Sequence, residues 1–357
     1  MRIRISASSI HLVMALILGS IITGCSHQLQ KPTPEERHFL ESSLMKMGPE
    51  YSHPRLVQAE LLIKLSDIRL EPASAEPELH IWTAGPLDYH FQQILGDISV
   101  APKPSQVFSD SLFQNKIMYW NGLKARGQDD QLTLLRRFEY LTFDWRPDID
   151  RQAEHDAWYT LSEEIIKTYT SSEMFLEQDP ALVDTVFSLL HDIPDPVGQA
   201  QALFDWVRDH MEYVYPPQAR GVRSAFETLR GDCGQYSALF ITMARIAGIP
   251  ARQQSGFNFH PQAISSHVWS EIYLPIKGWV PVDATREDGF LHLDNRRLIS
   301  STGMNIPLEN APDWATFENS EVQSGKTDFM QMYTLAMRGV QANFKSERNI
   351  LRSVELE

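Results

Sequence analysis

Cysteine is nearly absent: the 357-residue chain has two, Cys25 and Cys233. That scarcity excludes a disulfide framework and a cysteine-built zinc site. The 12 histidines fall at no ligand spacing and no HExxH occurs, so no metal is expected. Neither GxxxxGK nor GxGxxG is present, which removes the phosphate-cradling loops, and no cofactor is expected. Positive charge is also short, with 32 Lys and Arg against 46 Asp and Glu, a formal net charge of -14. A chain this acidic has no electrostatic case for nucleic acid as a partner. No internal repeat is visible, and no long apolar run follows the first 25 residues.

The first residues read as an export signal. Arg2 and Arg4 precede an apolar stretch from about residue 10 to residue 22, which ends in Ile22-Thr23-Gly24-Cys25. That stretch is short for a membrane span, and the Gly-Cys ending argues against an uncleaved anchor. The ending resembles the bacterial lipoprotein box, which implies cleavage after residue 24 and lipidation of Cys25. By the same resemblance, Ser26 after the lipidated cysteine favours the outer membrane, so a cell-envelope address is expected. Loss of residues 1–24 removes two arginines and no acid, taking the net charge from -14 to -16. Cys233 then remains as a spare thiol in an oxidising compartment, a liability unless it has a use.

Cys233 sits in Gly231-Asp232-Cys233, at the head of an apolar helix expected within residues 231–250. Tyr236, Leu239, Phe240, Met243, Ile246 and Ala247 recur at steps of three and four, marking one buried face. Asp232 suits the N-cap, and Gly248 with Pro250 supplies the stop. A helix N-terminus carries partial positive charge and unpaired N–H groups, both of which stabilise a thiolate and an oxyanion beside it. Cys233 is therefore a candidate nucleophile.

Two strand-like segments follow. His267 lies in Ser266-His267-Val268-Trp269 and Asp283 in Trp279-Val280-Pro281-Val282-Asp283, joined by a turn over 274–278. A hairpin centred on Pro275 sets the two directly opposite each other. A register shifted by two makes them diagonal neighbours, roughly 7–8 Å apart at the backbone and harder to bridge. The sequence leaves that register open. A base withdraws the thiol proton while a carboxylate orients the imidazole, so Cys, His and Asp together suit nucleophilic catalysis.

These residues, with Ala247-Gly248-Ile249-Pro250-Ala251-Arg252 at the helix exit and Glu271 after His267-Val268-Trp269, resemble the transglutaminase-like superfamily. The continuation Gly278-Trp279-Val280-Pro281-Val282-Asp283-Ala284-Thr285 belongs to the same likeness, which is strong over roughly residues 196–290. The resemblance implies a papain-like core and catalytic roles for Cys233, His267 and Asp283. It also implies an aromatic or amide oxyanion donor near the helix, for which Tyr213 is the candidate. Packing alone is an equal reading of Tyr213 and Tyr215, and the Cys233 backbone N–H is the safer donor.

The chain divides accordingly into a signal over 1–24, a polar tether over 25–55 with a short helix near 36–47, and a β-rich stretch over 56–150. Segments 79–84, 89–100, 116–123 and 131–143 read as strands of an antiparallel β-sandwich-like domain. Residues 151–315 should form the transglutaminase-like domain, with helices over 157–169, 180–191 and 196–212. Residues 316–357 form a C-terminal extension, in which 330–344 reads as a strand or a helix. The fold class is α+β.

The expected function is a thiol enzyme acting on peptide or carboxamide bonds through a thioester. The triad alone does not separate hydrolysis from transfer to an amine, and abundant water slightly favours hydrolysis, as a protease or amidase. Protein or peptide substrates are implied, with peptidoglycan stem peptides and envelope proteins within reach of a lipid anchor. The alternative is an inactive envelope scaffold that keeps the fold, since this superfamily has members that have lost catalysis.

Overall fold

The computed structural model of the protein describes residues 30–71, 76–127, 129–260, 263–315 and 325–356. The leader over 1–24 and Cys25 lie outside these residues. No helix among the described residues is long and apolar enough to cross a membrane.

Helix α1 (Pro34–Met47) opens with a capping box, in which Thr33 and Glu36 bond each other's backbone N–H. It is not a free spacer. Leu40 is fully buried against the following sheet, and Glu36 is clamped by Arg352 at 2.6 Å and 2.7 Å. The polar stretch expected as a tether is thus packed from about residue 30 onward.

Eight strands build a two-sheet unit. They are β1 (Tyr51–Leu70), β2 (Glu78–Ala84), β3 (Gln92–Ala101), β4 (Gln106–Ser109), β5 (Lys116–Asn121) and β6 (Leu132–Trp145), completed by two from the C-terminus. The short helix α2 (Gly122–Ala125) follows β5. Val57, Ala59, Leu61, Ile63 and Leu65 alternate inward along β1, the period-two pattern of a half-buried strand. They share one core with Leu79, Ile81, Trp120, Leu134, Phe138 and Tyr140 of the neighbouring strands.

Between this unit and the C-terminus lie α3 (Arg151–Asp156), α4 (Glu163–Thr170), α5 (Pro180–Leu190), α6 (Pro196–His210), the short strand β7 (Glu212–Tyr213), α7 (Gly221–Thr228) and the short strand β8 (Arg230–Gly231). Helix α8 (Cys233–Ile246) follows, then β9 (Ala251–His260), β10 (Ala263–Leu274), β11 (Gly278–Val282) and β12 (Arg297–Thr302). Four of these strands form an antiparallel sheet in the order β11-β10-β9-β12, with α8 packed across β9 and β10. The helix expected over 157–169 is divided, because a 3-10 turn at Trp158–Thr160 ends before Ser162 caps α4.

After the two-residue pair β13 (Ile306–Pro307) and β14 (Lys326–Thr327) come β15 (Thr334–Arg338) and β16 (Val340–Glu355). Residues 330–344 therefore hold parts of two strands, parted at Gly339 with φ +61°. The first sheet runs β16-β1-β6-β3 and the second β15-β2-β5-β4, all antiparallel. The segment read as an extension is thus an integral part of the N-terminal β unit, with Arg55 opposite Glu355.

Candidate active site

Asp232 caps α8 as its residue type predicts, accepting from Gly234 N at 2.9 Å, while its other oxygen pairs with Arg220 at 2.9 Å. The helix is buried on all sides from Gln235 to Arg245, beyond the single apolar face expected. Its buried donors are matched, Tyr236 to Met211 O at 2.7 Å, Gln235 Nε2 to Ala219 O at 2.7 Å and Arg245 to Ser171 O at 2.8 Å, while Gln235 Oε1 has no partner. Rigid packing of this kind fixes the start of the helix. Cys233, its first residue, stays partly exposed.

The hairpin takes the shifted register. Ser270 faces Val282 and Leu274 faces Gly278, so His267 and Asp283 are diagonal neighbours. Their side chains still meet, His267 Nε2 to Asp283 Oδ2 at 2.8 Å. Asp283 lies just past the end of β11, and a local loop turns its carboxylate. Oδ1 accepts from Thr285 Oγ1 at 2.6 Å and Thr285 N at 3.2 Å, and Asp283 N donates to Gly289 O at 2.8 Å. Gly289 is required there, because a Cβ would lie 2.1 Å from Asp283 O.

With Nε2 engaged by Asp283, the other imidazole nitrogen is left for the thiol, and the Cys233 side chain lies within hydrogen-bonding reach of His267. Burial pulls the His267 pKa down. The Asp283 charge, opposed by Arg297, and hydrogen bonds to Asp283 and Cys233 outweigh it and push the value up to about 9. Burial acts to raise the Asp283 pKa, yet the His267 charge and hydrogen bond and the Arg297 charge hold it well below the usual carboxylate range. At neutral pH this couple is an imidazolium beside a carboxylate.

The parallel bridge between β7 and β8 sets Tyr213 against Gly231, two residues before the nucleophile. The Tyr213 hydroxyl hydrogen-bonds Cys233 through both its backbone N–H and its side chain. Burial, with the nearby Cys233 and Asp232, pushes the Tyr213 pKa up, so the phenol stays a donor. Its ring packs at 6.0 Å from Tyr236, and 54% of the residue remains exposed. The Cys233 N–H and the Tyr213 hydroxyl thus meet beside the sulfur, the N–H donating to the phenol oxygen. Tyr215 lies within electrostatic range of the same thiol.

Sequence reasoning missed Arg297, at the head of β12. Its Nη2 donates to Asp283 Oδ2 at 2.9 Å, and both residues are 1% exposed. The second arginine of Arg296-Arg297, opening the apolar run Leu298-Ile299, is the signal that was available. Gln331 Nε2, donating to His267 O at 3.0 Å, carried no signal, since it lies 64 residues further along.

Residues 185–284, which include Cys233, His267 and Asp283, match the family model described as the transglutaminase-like superfamily. Over 75 residues the chain is 31% identical to the uncharacterized protein YebA of Bacillus subtilis, covering 17% of this chain and 10% of that protein. Over 87 residues it is 31% identical to the protein-glutamine gamma-glutamyltransferase of Pseudomonas aeruginosa, covering 20% and 13%. With the human kyphoscoliosis peptidase it shares 27% identity over 124 residues, covering 31% and 19%. The likeness to these relatives therefore spans between 10% and 19% of their own length. The solved structure of a candidate cysteine protease from Cytophaga hutchinsonii covers 84% of this chain and 91% of that one, with TM-score 0.55 and 17% identity, and shows a shared fold. Fold, helix-borne cysteine, hairpin and family match agree: residues 185–284 of this chain form a domain of the transglutaminase-like superfamily.

Proposed function

We propose that this protein is a cysteine-nucleophile enzyme that opens peptide or carboxamide bonds through a thioester, with water as the preferred acceptor. One observation carries the reading: the partly exposed Cys233 thiol lies within reach of an imidazole held by a buried carboxylate. An inactive scaffold has no need to keep a buried Arg297–Asp283–His267 relay behind an accessible sulfur.

Loss of the Cys233 proton to solvent leaves a thiolate beside the His267 imidazolium. Sulfur attacks the carbonyl carbon, and the oxyanion is received by the Cys233 N–H and the Tyr213 hydroxyl. Collapse breaks the C–N bond, the imidazolium gives its proton to the leaving amine, and a thioester remains. His267 then takes a proton from water as that water attacks, and collapse expels the thiolate beside the renewed imidazolium while the released acid gives its proton to solvent. An amine in place of water gives transamidation by the same steps.

The leader-like residues 1–24 and the Gly24-Cys25 junction support a bacterial cell-envelope lipoprotein, anchored through Cys25 to the outer membrane. Peptidoglycan stem peptides and envelope proteins are the acyl donors such an address supplies. The test is intact-mass spectrometry after exposure to p-nitrophenyl acetate, with and without excess cadaverine. A transient acetyl adduct on Cys233, absent in Cys233→Ala and His267→Ala, is expected, with acetate outweighing acetylcadaverine. An adduct that forms equally without His267 would overturn the assignment.

A further inference from the structure

The residues between β14 and β15 run along the site and are pinned at several points. Met330 is fully buried, and its N–H and carbonyl both meet Ser301 Oγ, at 3.3 Å and 2.6 Å. Asp328 O accepts from Asn305 N at 2.8 Å, and Asp328 Oδ1 accepts from Phe329 N at 2.8 Å. Gln331 Nε2 donates to His267 O at 3.0 Å. Phe329 is thus held by fixed neighbours on both sides, while the residue itself stays partly exposed.

Phe329 lines a small recess together with Gly234 and Ala238 of α8, Phe175 and Met304. Arg220 and Asp328 also border it, but Arg220 is already paired with Asp232 at 2.9 Å and Asp328 is bonded to Phe329 N. Gly234 follows Cys233, so the recess touches a residue whose Cα lies about 3.8 Å from that of the nucleophile. Cys233, Gly234 and Phe329 are each partly exposed, leaving sulfur and recess both open to a substrate at the first turn of α8. The space open to the centre of a water-sized group is about 20 Å³, which admits one methyl-sized group.

The carbon under attack carries three groups besides the sulfur. Its oxygen goes to the Cys233 N–H and Tyr213, and its leaving nitrogen to His267. The acyl chain is left for the Gly234 side, where Phe329 stands. We propose that Phe329 is a specificity-determining residue, a wall that restricts the acyl donor to glycyl or alanyl groups, with hydrogen or methyl on the carbon next to the reacting carbonyl. This rests on the reading of Cys233 as nucleophile. Because the same segment leads into β15, the N-terminal β unit takes part in selecting the substrate.

The test measures acylation of Cys233 in the full chain by the p-nitrophenyl esters of benzyloxycarbonyl-glycine, benzyloxycarbonyl-alanine and benzyloxycarbonyl-valine, followed by intact-mass spectrometry. Each rate is divided by that of the same ester with N-acetylcysteine, which removes the reactivity of the ester itself. The glycyl and alanyl esters should then exceed the valyl ester by about tenfold or more, and Phe329→Ala should reduce that ratio to about twofold. Phe329→Trp should act in the opposite direction and slow the alanyl ester against the glycyl one. Equal normalised rates in the intact protein, or a glycyl-to-valyl ratio that Phe329→Ala leaves unchanged, would overturn the assignment. Failure of the nucleophile reading looks different: every ester would acylate His267→Ala as fast as the intact protein. The glycyl-to-valyl ratio still reads the recess in that case, because attack by Cys233 passes the same wall whether or not the imidazole assists it.

Discussion

Arg297 and Asp283 form an ion pair inside the protein, Nη2 to Oδ2 at 2.9 Å, with 2% and 1% of their side chains exposed. The same oxygen accepts from His267 Nε2 at 2.8 Å, so one carboxylate joins a structural cation to the imidazole. Replacing Arg297 with Met leaves that carboxylate buried with one cation fewer. Urea denaturation should show a loss of about 3–5 kcal/mol. The Arg297 charge also presses the His267 pKa down. Titration of the His267 ring by NMR in the variant should therefore give a value above that of the intact protein, an effect that lost packing alone does not produce.

The couple also makes stability depend on pH. His267 binds its proton more tightly when folded, at about 9 against an ordinary 6.5. That difference stabilises the fold fully below about pH 6.5 and is lost as pH rises through 9. Asp283 works in the other direction, since its lowered pKa contributes stability above its ordinary 3.8 that is lost as pH falls below it. Unfolding free energies from urea titrations should fall by about 3 kcal/mol between roughly pH 6.5 and 10. In His267→Ala that alkaline decline should largely vanish; an unchanged decline would assign it to other groups.

Tyr213 is tested by removing one atom. Tyr213→Phe keeps the ring against Tyr236 but deletes the hydroxyl that meets Cys233. Loss of one oxyanion donor should lower kcat by about a hundredfold with KM little changed. Alkylation by iodoacetamide, which passes through no oxyanion, should be retained. Full turnover in the variant would return Tyr213 to a packing role.

Gly289 tests the support of the carboxylate from behind. In Gly289→Ala the new Cβ meets the Asp283 carbonyl oxygen, a backbone atom that gives way only if the loop moves. Thermal denaturation should report a loss of about 1–3 kcal/mol. Turnover should fall by more than the unfolded fraction explains, because the displaced Asp283 no longer orients His267.

The local features of this site were readable from the chain. Asp232, the spaced apolar residues and Gly248 all act within a few residues of one another, and the helix they predict is the helix found. Helical spacing likewise anticipates α5 and α6, each with an Asp cap and a proline at its start. Register was not readable, because Pro275 and Gly278 allow two turns whose strands differ by one step of two residues. Nor were β15 and β16, whose partners lie more than 200 residues away and leave no local mark. Arg297 reaches Asp283 only once β12 has paired with β9, and Gln331 lies just ahead of β15, so the triad was visible while its supports were not.

The most direct measurement is the rate of Cys233 alkylation by iodoacetamide from pH 5 to 9, in the intact protein and in His267→Ala. A thiolate sustained by an adjacent imidazolium should already react rapidly at pH 6, and the substitution should slow it there by about tenfold or more. If both proteins instead react slowly at pH 6 and follow the same rising curve of a simple thiol, the sulfur and the imidazole do not act together and the enzymatic account is wrong.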